Sequence, residues 1–166
     1  MKYRSPHFNT RPPKAGITLI CLHADAGKSD TGTLKWLCDP DAKVSYHAVI
    51  GRDGTLYQVV DPRHRAWHAG KSSWKGVSNV NDFSLGLAFC NRHDGEERLT
   101  EAQIAVGLAT VQAWATRYAI ADVVTHAMVA PKRKTDPELI PNFVLQPYAD
   151  AARTARIAAI RNAKDA

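Results

Sequence analysis

The sequence predicts a single α/β domain. Three observations lead there. Short β-prone apolar runs recur at residues 17–23, 44–50, 55–60, 83–90 and 120–124. Two longer stretches, 100–118 and about 146–164, read as helices. Strands and helices interleave along 166 residues with no internal repeat and no linker, which suits one core and a layered α/β fold.

Taken in order, residues 1–16 are polar, hold three prolines, and read as an irregular arm, with the main domain spanning 17–166. Residues 17–23 form the first core strand. His23 to Thr33 is polar with two glycines and reads as a loop over a site. Thr33 to Cys38 makes a short helix, stopped by Asp39-Pro40. Val44–Ile50 and Thr55–Val60 pair as a hairpin, because Asp53-Gly54 between them accepts the positive φ of a tight turn. Asp61 to Val80 reads as a long irregular loop rich in Trp, His, Gly and Ser, and loops of that length in small domains are usually functional. Phe83–Cys90 is a strand and Asn91–Leu99 a charged turn. Thr100 caps the best helix, with Ile104, Leu108, Val111 and Ala115 on one face. Ile120–Val124 is a strand, and three prolines make 131–141 a loop. The last helix starts at Gln146 or Pro147, since proline suits a first turn.

The net charge is +6, which suits an acidic partner. Only Lys132-Arg133-Lys134 is a compact basic cluster and no base-reading motif accompanies it, so nucleic acid is not the expected partner. The three cysteines are odd in number and lack a Cys-x-x-Cys pair, which argues against a disulfide framework. The N-terminus lacks the apolar stretch of a signal peptide, and no run reaches membrane-spanning length. The expectation is a monomer made in the cytoplasm without stable membrane insertion.

Two apolar runs end in histidine, His23 and His126, and Asp136 follows in the next loop. Adjacent strands would bring the three together. Two imidazoles and a carboxylate, with one position left open, form a usual catalytic zinc set. Lys134 would place a fixed positive charge beside Asp136. His47 follows Tyr46 and should face away from it, as core or support. Trp67, His68 and Trp74 fit a substrate groove, because aromatic faces pack on sugar rings and a histidine can bond a carbonyl. His7, His64 and His93 sit in polar segments and receive no role. Trp36 and Trp114 read as packing.

These pieces together resemble a family. Leu19–His23, Ser45–Ile50, Arg52–Thr55, Arg65–Gly70, Asn81–Leu87 and His126 through Lys134–Pro137 run in the order found in the zinc-dependent N-acetylmuramoyl-L-alanine amidases. That group includes AmpD-type recycling enzymes, short phage endolysins and animal peptidoglycan recognition proteins. The resemblance implies a mixed central sheet flanked by helices. It implies zinc held by His23, His126 and Asp136, with Lys134 stabilising charge on the amide carbonyl. It implies cleavage between muramic acid and L-alanine in peptidoglycan or a muropeptide. Many relatives carry a proton-shuttling glutamate where this chain has Ala88; some short phage relatives lack it and carry a tyrosine at the position of Tyr46. The expectation is therefore a compact phage-type endolysin with Tyr46 assisting catalysis. The alternatives are a cytosolic AmpD-type recycling amidase acting on anhydro-muropeptides and a non-catalytic peptidoglycan-binding module.

Overall fold

Strand β2 (Leu19–Ala24) lies near the centre of the computed structural model, which describes residues 3–164. All six of its residues are buried, as a strand covered on both faces must be. It pairs in parallel with β8 (Ser84–Phe89) on one side and with β9 (Asp122–Thr125) on the other. Beyond β8 lie β3 (Ala48–Ile50), parallel to it, and β4 (Leu56–Gln58), antiparallel to β3. The sheet order is β4-β3-β8-β2-β9, a mixed sheet with one antiparallel edge.

The two-residue period of the strands divides the sheet into two faces. Ile20, Leu22, Ala48, Ile50, Leu87 and Phe89 pack under α2 (Glu101–Arg117) and α4 (Gln146–Lys164). The opposite face presents Leu19, Cys21 and His23 from β2, with Val49 and Ala88 beside them. Helix α1 (Asp30–Cys38) covers part of this second face through Leu34 and Leu37. Thr100 and Gln103 close a reciprocal capping box at the start of α2. Gly54 takes φ 84° in the β3–β4 turn, the conformation expected of Asp-Gly.

Several expectations are corrected. The N-terminal arm is not wholly irregular. Phe8–Thr10 form strand β1, paired antiparallel with β5 (His64–Ala66). Arg11 then anchors the arm, donating to the carbonyls of Pro62, Asn81, Asp82 and Ser84. The 61–80 segment contains β5 and a small hairpin, β6 (Ser73–Trp74) with β7 (Val77–Ser78). Runs of two or three residues leave too little alternation to show in a sequence. Helix α1 begins at Asp30 rather than Thr33, because Ser29 caps it by accepting from Gly32 N. His126 does not end a strand: it opens a short helix, α3 (His126–Val129), capped by the Thr125 hydroxyl. No helix among the described residues is long and apolar enough to cross a membrane.

Candidate metal centre and active site

His23, His126 and Asp136 meet at the end of the central strands. His23 Nδ1 lies 3.1 Å from His126 Nδ1. Asp136 Oδ2 lies 3.1 Å from His126 Nδ1 and 3.3 Å from His23 Nδ1. The fold explains the convergence. β2 and β9 are hydrogen-bonded neighbours, so their ends place His23 and His126 side by side. The backbone N–H of Ala127 donates to Asp136 O at 3.1 Å, which holds the Asp136 loop against α3.

The hydrogen bonds behind each ring assign its tautomer. His126 Nε2 is 3.3 Å from Ala69 O, so Nε2 carries the proton and Nδ1 offers its lone pair forward. His23 Nε2 donates to His68 Nδ1 at 3.0 Å, and His68 Nε2 donates to Ser84 Oγ at 3.0 Å. The Ser84 hydroxyl in turn donates to Val80 O. This chain leaves His23 Nδ1 unprotonated and aimed at Asp136. Burial pushes His23 down to about 4, against the pull of Asp136, so it is a neutral donor at neutral pH. Two neutral imidazole nitrogens and one carboxylate oxygen are the donor types zinc prefers. Zn–N and Zn–O bonds of about 2.0–2.1 Å in a tetrahedron put neighbouring ligand atoms about 3.3 Å apart, and the three separations here match that edge.

Cys21, His23 and His68 are also close enough together to hold a metal. That set fits poorly. Burial raises the Cys21 thiol well above its ordinary value, His68 has both ring nitrogens engaged, and all three groups are buried with no open position.

A cleft of about 460 Å³ opens over the first set, lined by Tyr46, Trp67, His126, Lys134 and Asp136. It continues into a groove of about 570 Å³ along α1 that shares Tyr46 and Lys134 and reaches the half-exposed Trp36. Another cavity, of about 680 Å³, lies between α2 and β4, and among the described residues no cluster of metal-ligating groups lines it. Lys134 is exposed and near enough to His23 to disfavour its protonation. The Tyr46 ring packs 5.1 Å from that of His23, and burial, reinforced by Asp136 and Asp25, drives its hydroxyl far above the ordinary phenol value. That hydroxyl is therefore a donor at any working pH. Ala88 is fully buried beside Tyr46, in register with His23, and brings no polar group.

The structure places the three expected substrate contacts differently. Trp74 lies outside the cleft: its Nε1 donates to Asp122 Oδ2 at 3.0 Å, and its ring packs against the cluster of Leu19, Val80 and Val124. His68 borders the cleft but has no free nitrogen, because it holds His23 in place. It lies flat on β8 only because residue 86 is glycine; a Cβ there would come within 2.6 Å of the His68 ring. Trp67 does line the cleft, with its Nε1 donating to Asn9 Oδ1 at 2.5 Å. His47 supports the sheet as expected, accepting from Gly86 N at 2.9 Å. Reading the sequence missed Arg133, whose guanidinium donates to the carbonyls of Ala69 and Lys71 and so fixes the loop that orients His126. It also missed His93, which lines the cleft.

Known proteins share this arrangement of strands and loops. The family pattern of N-acetylmuramoyl-L-alanine amidases matches residues 11–139. The 1,6-anhydro-N-acetylmuramyl-L-alanine amidase AmpD of Citrobacter freundii is 36% identical over 154 residues, covering 80% of each chain. A crystal structure of a selenomethionine derivative of AmpD superposes with a TM-score of 0.74 at 33% identity, covering 89% of this chain and 91% of that one. The Escherichia coli amidase AmiD, solved with anhydro-N-acetylmuramic acid-L-Ala-D-γ-Glu-L-Lys, gives a TM-score of 0.71 at 29% identity, covering 85% of this chain and 60% of that one. With a match over most of its length and this identity to AmpD, the chain belongs to the N-acetylmuramoyl-L-alanine amidase family and is an enzyme of that class.

Proposed function

We propose that this amidase is zinc-dependent and cleaves the bond between the lactyl group of an anhydro-muramic acid and L-alanine in soluble muropeptides. The observation that carries the metal is the triangle of His23 Nδ1, His126 Nδ1 and Asp136 Oδ2, with tautomers fixed from behind. The substrate comes from the AmpD relatives, which match this chain over four-fifths of both lengths. They favour the recycling-type alternative over the expected phage endolysin. The complete ligand triangle argues against a purely binding module.

Zinc, when bound, would polarise the scissile carbonyl and make water acidic enough to attack near neutral pH. The chain's own residues do the rest. The Lys134 ammonium is placed to stabilise negative charge as it grows on the carbonyl oxygen. The Tyr46 hydroxyl stays protonated and can donate to the same oxygen. Trp67 offers a ring face to the sugar. His68 and Ser84 keep His23 from turning.

The test is mass spectrometry of products from a 1,6-anhydro-N-acetylmuramyl tripeptide. The expected products are the free tripeptide with an L-alanine amino terminus and the anhydro sugar acid. Chelation should abolish release and one equivalent of zinc should restore it. Release that survives complete metal removal, or a cut elsewhere in the ligand, would overturn the reading. His126→Ala and Asp136→Ala should each lose zinc retention.

A further inference from the structure

His93 is a polar group of the cleft to which the site described above gives no part. It lines the same cleft as Tyr46, His126, Lys134 and Asp136. Its Nε2 is shielded from solvent and has no hydrogen-bond partner, one of only two such side-chain atoms among the described residues. A buried ring nitrogen without a partner is unfavourable, and turning it into the cleft toward a bound ligand would relieve that cost. Its backbone takes φ 54°, a left-handed conformation uncommon for a side chain with a Cβ.

The surrounding loop enforces that conformation. His93 N donates to Asn91 Oδ1 at 2.7 Å, and Asn91 Nδ2 donates to Glu97 O at 3.1 Å. Asp94 Oδ1 accepts from the backbone of Glu96 and Glu97. The Glu97 carboxylate is paired with Arg52 at 2.7 Å and accepts from Arg92 N. A strained position held from several sides at the rim of a cleft is the pattern of a functional residue.

Amide hydrolysis must move a proton from the attacking water to the leaving nitrogen, and the carboxylates and other imidazoles of the cleft are committed. Asp136 Oδ2 faces the Nδ1 atoms of both histidines as the third member of the metal-ligating set. Asp25, the other carboxylate of the cleft, accepts from Gly27 N, Asn91 N and the Thr33 hydroxyl. His68 has neither nitrogen free. Position 88 is alanine.

We propose that His93 is the proton relay of this enzyme. Its Nε2 takes a proton from the attacking water as the new C–O bond forms at the lactyl carbonyl. It returns that proton to the L-alanine nitrogen as the C–N bond breaks, so no further co-reactant is needed. This rests on the amidase reading of the site.

The experiment uses the zinc-loaded enzyme and its His93→Gln and His93→Ala variants on the anhydro-muramyl tripeptide. General acid–base help is typically worth about 100-fold to 10,000-fold, so kcat should fall about 100-fold or more. KM and zinc content should change little, and one limb of the kcat–pH profile should disappear. Added imidazole should restore part of the His93→Ala rate. In a separate measurement on zinc-free protein with labelled histidine, the His93 ring resonance should shift when the tripeptide is added. That measurement decides the matter should the variants misfold. A His93→Gln enzyme with the wild-type kcat and pH profile, a loss confined to KM, or an unmoved ring resonance would overturn the relay while leaving the amidase intact. A wild-type enzyme that releases no tripeptide would overturn the amidase reading instead.

Discussion

Trp67 and Trp74 show what a residue's neighbours decide. Both are tryptophans in a Gly- and Ser-rich segment, and the sequence reads them alike. In the fold Trp67 borders the cleft, whereas Trp74 spends its indole N–H on Asp122 and its ring on the apolar cluster under β2 and β9. The two alanine variants should therefore separate. Trp67→Ala should raise KM about tenfold, roughly 1.4 kcal/mol of lost ring contact, while thermal stability stays near wild type. Trp74→Ala should keep KM and lower the melting temperature, since emptying a packed aromatic site costs about 3 kcal/mol or more. Steady-state kinetics and a melting curve on each variant check both outcomes. The approach of His23, His126 and Asp136 was legible because two histidines after apolar runs and a nearby aspartate are a chemical pattern as well as a structural one. The partner of Trp74 was not, because Asp122 lies 48 positions away on another strand.

At the scale of elements, the site depends on what β8 does not carry. Gly86 leaves room for His68, which holds His23, which faces Asp136. Gly86→Ala would put a methyl group 2.6 Å from the His68 ring with the β8 backbone unable to retreat between its two paired neighbours. The variant should fold less stably, by about 1–3 kcal/mol for overpacking, and should bind zinc more weakly. Disturbing a residue that holds a metal-binding histidine in place commonly costs about 10-fold to 100-fold in metal affinity, and a competitive zinc titration measures it. The same strand sets a pH dependence. His47 accepts from Gly86 N, and burial, followed by the nearby Arg11 guanidinium, lowers it to about 3. Its folded value lies below the ordinary imidazole value of about 6.5, so the unfolded chain binds its proton first as pH falls. Stability is thus full above about pH 6.5 and is lost as pH drops toward about 3. Denaturant titrations across that range should show the decline, and His47→Asn should flatten it. A variant with an undiminished slope would assign the acid lability to other groups.

For the whole molecule, the layered fold and its two large helices were legible, because long periodic stretches announce themselves: Thr100 as cap and the apolar face of α2 stand where the spacing puts them. The short strands β1 and β5 were not, since a three-residue pair depends on a partner about 56 residues away rather than on local pattern. What the sequence left open is the size of the substrate. The metal triangle sits in a cleft of about 460 Å³ that opens into one groove along α1, together enough for a muropeptide with part of its stem. The exposed ammonium of Lys134 and the cleft-lining Lys43 favour a ligand carrying carboxylates. An intact wall strand carries its sugar chain on beyond the scissile unit, whereas a soluble anhydro-muropeptide ends at its sugar. We therefore expect kcat/KM on the soluble anhydro-muropeptide to exceed that per bond of intact peptidoglycan by at least about 100-fold, near 2.7 kcal/mol of transition-state binding. Parallel assays at matched bond concentration decide it. Equal rates on both substrates, or faster release from intact wall, would return the endolysin reading to first place.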